Sequence, residues 1–383
     1  MRYPATIALA AFLLIGIDTP AQQTLPKNQD ILFWSLSERD AAFRHMEKVW
    51  ATQTVKAGGT VHAFGKGEPL QLHADVDAYM ASQRAAGLII VQGNNIRLEK
   101  YAMGYNAGGR WTSFSVAKSF TSTLAGAAVR DGYIKSLDDK VTTYVAGLKG
   151  SVYDDVTVRQ LLTMTSGVKW NEDYTDPLSD VALFAKYQPE PGMDLTVSYM
   201  RRLGREAPAG TKWLYKTGET NLLGVLVSQA TGKTLSEYLS QKIWKPWGME
   251  QDAVWMLDSS GHEFGGCCIS ATLRDYARFG QFISEGGKLH GQSILPAGWL
   301  AQATTKQADI GAPGRGYGYQ WWTYDDGSFA ALGIFGQSIF IDPRRQLVIV
   351  TSGDTPKAVD REGLGAARDA FFKAVQSAIP VAP

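Results

Sequence analysis

Strand-like segments lie near both ends of this 383-residue chain, and the region between them has a helical pattern. In the first half, 87–93 and 96–101 have the pattern of two strands and flank Asn94-Asn95, which is typical of a hairpin. Four more strand-like segments, separated by turn residues, cover 317–323, 329–332, 338–341 and 346–351. The pattern predicts an α+β fold: an antiparallel sheet completed by both chain ends, flanked by helices, with an inserted helical domain.

Apolar residues at three- and four-residue spacing predict the helices. They cover 31–54, 76–85, 116–130, 156–167, 221–230, 235–244 and 363–379. We therefore expect one folded unit over 22–383, whose α/β part covers about 27–134 and 262–383 and whose mainly helical part covers about 135–261.

The first 21 residues resemble a secretory signal. A single positive charge at Arg2 precedes an apolar run of 13 residues, 5–17, and a small residue follows at Ala21. The run is short for a spanning helix, which needs about 20 residues. We expect cleavage near Ala21 and a periplasmic or secreted protein without a stable membrane anchor; an uncleaved anchor is the alternative.

Composition excludes several classes of partner and site. The 38 basic and 37 acidic side chains give a net charge of +1, and no basic stripe stands out, which argues against nucleic-acid binding. Five scattered histidines and two cysteines do not form a metal-site pattern. Cys267 and Cys268 are adjacent, and adjacent cysteines rarely bridge, so we expect two small buried side chains. A small, largely uncharged substrate fits best.

The tetrad Ser115-Val116-Ala117-Lys118 carries the first chemical signal. Residues three apart on a helix share a face, so Ser115 would stand beside an amine that can act as its base. The positive end of the helix dipole would favour negative charge on oxygen, and the Ser115 N–H is a candidate oxyanion donor. By itself, S-x-x-K is a common pattern and predicts little.

Lys118 must lose its proton to act as a base. Its pKa must fall by about three from 10.4, which corresponds to about 4 kcal/mol, and only burial or a neighbouring cation lowers a lysine pKa. The alternative is a tyrosinate base that Lys118 stabilises. Tyr215 is the candidate, because it follows Pro208-Ala209-Gly210 on a loop and could relay a proton to a leaving group.

Together the motifs resemble the serine β-lactamase-related superfamily. The resemblance rests on SVAK at 115–118, VTVRQLLTMTSG at 156–167, Tyr215 with NLLG at 221–224, and GYGYQWW at 316–322, and it spans about 85–351. The superfamily includes class C β-lactamases, D-alanyl-D-alanine carboxypeptidases, family VIII carboxylesterases and 6-aminohexanoate-dimer hydrolases. The wording WTSFSVAKS at 111–119 is most similar to the 6-aminohexanoate-dimer hydrolases.

The resemblance implies acyl-enzyme chemistry, without metal or cofactor, in a pocket between the α/β and helical parts. By analogy Ser115 is the nucleophile, Lys118 its base and Tyr215 the proton relay. The superfamily's Lys-Thr-Gly motif would fall at Ile334-Phe335-Gly336, and the backbone N–H of Gln337 would then be the second oxyanion donor. A homodimer is expected from analogy alone.

Two departures bear on the substrate. Ile334 cannot offer the charge that a lysine would give a substrate carboxylate, and Thr217 replaces the asparagine found two residues after the tyrosine in penicillin-recognising relatives. Both argue against β-lactams and for small linear amides or esters. Trp170 and Tyr174, on the acidic loop 168–177, could bind an apolar chain or an ammonium group; a solvated loop is the alternative. A catalytically silent ligand-binding relative is the non-enzymatic alternative.

Overall fold

The computed structural model describes residues 25–358 and 363–381. The predicted signal segment, 1–21, therefore lies outside the described residues. The strands are β1 Thr52–Val55, β2 Gly65–Lys66, β3 Ala85–Gln92, β4 Asn95–Tyr101, β5 Trp111–Thr112, β6 Ala253–Met256, β7 Ile269–Ala271, β8 Lys288–Leu289, β9 Gln292–Ser293, β10 Arg315–Tyr317, β11 Trp322–Tyr324, β12 Phe329–Leu332, β13 Ser338–Asp342 and β14 Leu347–Gly353.

The α-helices are α1 Leu36–Ala42, α2 Val76–Ser82, α3 Ala117–Arg130, α4 Val141–Tyr144, α5 Val158–Leu162, α6 Asp180–Phe184, α7 Leu195–Met200, α8 Thr217–Thr231, α9 Leu235–Leu239, α10 Lys245–Trp247, α11 Leu273–Ser284, α12 Trp299–Ala303 and α13 Leu364–Ser377. Short 3₁₀ turns occur at Met46–Lys48, Phe114–Val116, Ala146–Leu148 and Pro343–Arg345, and a π-helical turn at Ser240–Trp244. Within the described ranges, no helix is long and apolar enough to cross a bilayer.

Both ends of the chain build the main sheet, as predicted. In the described part of the chain it has eight strands in the order β10-β11-β12-β13-β14-β3-β4-β2, and β14 pairs antiparallel with β3, so that Ile349 faces Ile90. Its side chains alternate between two apolar layers. Leu88 and Ile90 pack on the layer of α2 and α13, where Tyr79 stacks on Phe371, whereas their neighbours on β3 face the larger core. A second sheet has the order β1-β6-β7-β5.

Three predicted elements are wrong in extent. The helix predicted over 156–167 is confined to α5, because a capping box of Thr157 and Gln160 starts it and Met164, with φ of +55°, has left the helical conformation. The helix predicted over 31–54 is confined to α1, because a capping box of Ser35 and Glu38 starts it and the β-branched 52–55 segment pairs with β6. The strand predicted over 317–323 is instead the hairpin of β10 and β11. The chain turns there because Gln320, with φ of +63°, is buried and its side-chain amide donates to the carbonyls of Leu161 and Leu162, each at 3.0 Å.

Helix α3 lies in the core and is held there by its own hydroxyls. Twelve of its fourteen residues are buried, among them Phe120, which stacks on Phe279 with ring centroids 3.6 Å apart. Ser119 donates to the Gln320 carbonyl at 2.8 Å and Thr121 to the Gly265 carbonyl at 2.6 Å. Because buried hydroxyls need partners, these bonds fix the helix between two loops that reach the site.

Candidate active site

Ser115 lies in the 3₁₀ turn that joins β5 to α3. The preceding residue, Phe114, has φ of +43°, a conformation that costs a bulky residue about 1–3 kcal/mol. Contacts with Phe43 and Phe335, at centroid distances of 5.0 and 4.9 Å, hold its ring in place. The turn leaves the Ser115 side chain at the wall of a cavity.

Lys118 is buried and hydrogen-bonded to three oxygen atoms. Its Nζ lies 2.9 Å from Ser115 Oγ, 3.0 Å from Thr217 Oγ1 and 2.9 Å from the Gly266 carbonyl. None of these three groups carries a formal charge. The amine therefore has good hydrogen-bonding partners without a counter-ion in direct contact.

This environment lowers the pKa of Lys118 to about 8, because burial penalises the ammonium form, while the charge of Glu172 acts in the opposite direction. At pH 7 about a tenth of the molecules would then hold the neutral amine. The direction agrees with the sequence prediction that burial must supply the shift. A neutral Lys118 in contact with Ser115 can accept its proton.

Tyr215 lies just before α8, and its ring stacks on Trp322 at a centroid distance of 5.4 Å. Lys118 Nζ is 5.0 Å from the centroid of the Tyr215 ring. Burial and then the charge of Glu172 raise the pKa of Tyr215 well above its usual value, and its contact with the Ser115 hydroxyl opposes the shift. The phenol therefore stays protonated near neutral pH, which favours Lys118 as the base and Tyr215 as the proton donor.

The loop 168–177 supplies a group that the sequence reasoning missed. Glu172 accepts a hydrogen bond from the Thr217 N–H at 2.8 Å, from the Thr217 hydroxyl, from the Trp170 indole and from the Tyr174 hydroxyl at 2.8 Å. Acidic residues are frequent on this loop, and no pattern in the sequence distinguishes Glu172 from its neighbours. The contact depends on the packing of the loop against the start of α8.

Trp170 and Tyr174 have different surroundings. Tyr174 lines the cavity, as the prediction for a substrate contact requires. Trp170 is buried instead, packing edge-on against Phe184 and Tyr199. Its indole N–H donates a hydrogen bond to Glu172.

The segment 265–268 forms another part of the wall. The Gly266 N–H donates to Asn221 Oδ1 at 2.8 Å, which directs the Gly266 carbonyl to Lys118. A Cβ at Gly266 would lie 2.9 Å from the Thr217 carbonyl oxygen, so only glycine fits here. Cys267 and Cys268 are joined by a disulfide, contrary to the sequence-based expectation, and Cys267 lines the cavity.

The residues proposed at the third motif divide between the cavity and the core. Ile334 lines the cavity, whereas Phe335 is buried against Phe114. Gly336 has φ of +88° and turns the chain before β13. The Gln337 side chain anchors this loop by donating to the Gly353 carbonyl at 2.7 Å, and the role of its backbone N–H remains a prediction.

The cavity encloses about 630 Å³, including space open to solvent. Among the described residues that line it, none has a charged side chain. The lining residues are Gln29, Ile31, Leu32, Trp50, Phe114, Ser115, Tyr174, Val181, Phe184, Ala185, Thr217, Asn221, Met256, Phe264, Gly266, Cys267 and Ile334. No group of three or more potential metal ligands occurs in the ranges that the structure describes. The site is thus an apolar cavity with a serine–lysine pair at its wall.

Comparison with known proteins identifies the family of the chain. The Beta-lactamase family model matches residues 72–370. The chain belongs to this family. A curated member, the 6-aminohexanoate-dimer hydrolase of Paenarthrobacter ureafaciens, is 30% identical over 297 residues, which cover 74% of this chain and 76% of that protein. Members of the beta-lactamase family are serine hydrolases.

Solved structures show the same fold. A candidate 6-aminohexanoate-dimer hydrolase from Bacillus anthracis aligns with a TM-score of 0.80 at 24% identity, covering 93% of this chain and 98% of that one. A penicillin-binding protein from Bacillus halodurans aligns with a TM-score of 0.60 at 17% identity, over 78% of this chain and 100% of that one. The beta-lactamase fold predicted from the motifs is confirmed.

Proposed function

We propose that this protein is an exported serine hydrolase that forms an acyl-enzyme on Ser115 and cleaves small linear amides or esters. The observation that carries the proposal is the 2.9 Å contact between Ser115 Oγ and the buried amine of Lys118. A ligand-binding protein without catalytic activity would have no use for an amine with a lowered pKa beside a serine. The silent alternative is therefore the weaker one.

In the proposed reaction, Lys118 takes the proton of Ser115 while Oγ attacks the substrate carbonyl carbon. The backbone N–H groups of Ser115 and Gln337 are the proposed donors to the resulting oxyanion. Tyr215 gives its proton to the leaving nitrogen or oxygen as the bond to the acyl carbon breaks, and recovers one from Lys118. Water then attacks the acyl-enzyme, with the amine again as base, and releases the acid and free Ser115.

The lining of the cavity favours a substrate with an uncharged acyl chain. This lining is apolar, and Ile334 offers no positive charge to a substrate carboxylate. This observation favours a carboxylesterase of the family VIII type as the second candidate beside 6-aminohexanoate-dimer hydrolysis, to which the 30% identical relative points. D-Alanyl-D-alanine carboxypeptidase and β-lactamase activities are the weakest candidates, because Ile334 and Thr217 stand where penicillin-recognising relatives have lysine and asparagine.

Labelling with a fluorophosphonate probe and intact-mass measurement tests the chemistry. We expect one adduct on the wild-type protein and none on Ser115→Ala. Equal labelling of both proteins, or no adduct on the wild type, would contradict the proposal. Parallel assays with p-nitrophenyl butyrate, 6-aminohexanoate dimer and nitrocefin then rank ester, amide and β-lactam substrates; efficient nitrocefin hydrolysis would contradict the role given to Ile334.

Export and assembly are separate parts of the proposal. Amino-terminal sequencing of the protein recovered from the periplasm or medium should start close to residue 22. A product that keeps residues 1–21 would contradict export by cleavage. The expectation of a homodimer remains a prediction from family analogy.

A further inference from the structure

Glu172 accepts four hydrogen bonds from three residues. The donors are the Thr217 backbone and hydroxyl, the Trp170 indole and the Tyr174 hydroxyl. A carboxylate can only accept, and four donors nearly fill the lone-pair sites of its two oxygen atoms. Its position and orientation are therefore fixed from the loop and from the start of α8 together.

The number of hydrogen atoms available around Lys118 determines which group donates and which accepts in each hydrogen bond. The single hydroxyl hydrogen of Thr217 goes to Glu172, so Thr217 Oγ1 can only accept from Lys118, 3.0 Å away. The Gly266 carbonyl, at 2.9 Å, can only accept as well. A neutral amine has two N–H groups and one lone pair. Thr217 and Gly266 take both N–H groups, and the lone pair is left for Ser115.

We propose that Glu172 is a positioning residue that acts through the Thr217 hydroxyl to keep the lone pair of neutral Lys118 directed at Ser115. The inference rests on the proposed function, because it assumes that Lys118 is the base. The same role of Glu172 explains how Thr217 can replace the asparagine that penicillin-recognising relatives have at this position. An amide oxygen only accepts, whereas a hydroxyl can accept or donate, so Thr217 needs Glu172 to fix its hydrogen.

Replacing Glu172 with glutamine disturbs this order in either orientation of the amide. With its NH₂ toward Thr217 Oγ1, the threonine hydrogen is free to turn to Lys118 and occupy the lone pair. If the NH₂ group instead takes the place of Glu172 Oε2, it faces the N–H groups of Thr217 and Trp170. These groups are donors themselves, so both lose their acceptor. We expect Glu172→Gln to slow Ser115 labelling about 10- to 100-fold, the range of one hydrogen bond to a charged group.

Three comparisons test the positioning role. Asp176→Asn is the matched control, because it removes a carboxylate from the same loop while its Oδ1 can still accept from the Leu178 N–H, as Asp176 Oδ1 does at 2.8 Å. We expect wild-type labelling from it. In a Thr217→Asn background, Glu172→Gln should cost much less than in the wild type, because the asparagine oxygen needs no second group to make it an acceptor. Equal costs in both backgrounds would overturn the inference.

The pH dependence separates positioning from a merely structural role. The titratable groups around Lys118 are Glu172 and Tyr174 from the loop and Tyr215 before α8. Since the charge of Glu172 raises the pKa of Lys118, Glu172→Gln should move the acidic limb of the labelling rate to lower pH while lowering the plateau. An unmoved limb with normal plateau would overturn the inference, whereas absence of labelling in the wild type would overturn the proposed function itself.

Discussion

Two buried lysines, Lys118 and Lys216, have opposite surroundings. Lys118 contacts only uncharged oxygen atoms, those of Ser115, Thr217 and Gly266. Lys216 is fully buried too, but its Nζ lies 3.6 Å from Glu219 Oε2, and both side chains are inaccessible to solvent. The chain thus buries one amine without a direct counter-ion and another with one.

The difference in contacts accounts for the pKa shifts of Lys118 and Glu219. Without a carboxylate in contact, desolvation dominates and lowers the pKa of Lys118 to about 8. At the other site, burial raises the pKa of Glu219 and the charge of Lys216 opposes that shift. Lys216 is paired with Glu219, and of the two lysines it is Lys118 that contacts the Ser115 hydroxyl.

Lys118→Met should have the largest effect, and it should be on activity. Loss of general-base assistance is expected to lower kcat by about 10²- to 10⁴-fold. The free energy of unfolding should change little, because removing a desolvated amine is favourable while Thr217 and Gly266 lose their donor. Steady-state kinetics and denaturant unfolding of the same preparation check both parts. Turnover at the wild-type rate would remove Lys118 from the mechanism.

Lys216→Met should have the opposite profile. It leaves Glu219 buried without its partner, and breaking such a pair costs about 3–5 kcal/mol of unfolding free energy. The molecules that remain folded should keep their turnover. As control, Lys216→Met combined with Glu219→Met should recover most of the stability, because replacing both members by apolar side chains is often close to neutral. A single variant as stable as the wild type would show that the pair is not needed.

Much of the fold could be predicted because its signals are local. The hairpin of β3 and β4 follows from strand-like segments around Asn94-Asn95, and α3 follows from its periodicity. The prediction for 31–54 was wrong because the apolar spacing of this segment suits a helix. Its last residues instead form β1, which pairs with β6 about 200 residues away in the sequence. The turn at Gln320 has a similar cause, since distant carbonyls bind its side chain.

The candidate site could be predicted where residue type limits the chemistry. Ser115, Lys118 and Tyr215 lie close together, as their motifs predict, and their roles as nucleophile, base and relay stay predictions. Glu172 could not be found, because its importance lies in the geometry of a loop against α8. The disulfide of Cys267 and Cys268 was not predicted for another reason, because adjacent cysteines rarely form a bridge.

The pH dependence of Ser115 acylation tests the central claim, that a neutral Lys118 is the base, most directly. The rate of fluorophosphonate labelling, measured from about pH 6 to about pH 10, should rise with pH through a midpoint near the Lys118 pKa of about 8 and then level off. No decline is expected in this range, because the pKa of Tyr215 is raised and the phenol keeps its proton. A rate that is constant over the range, or that falls as pH rises through 8, would contradict the account.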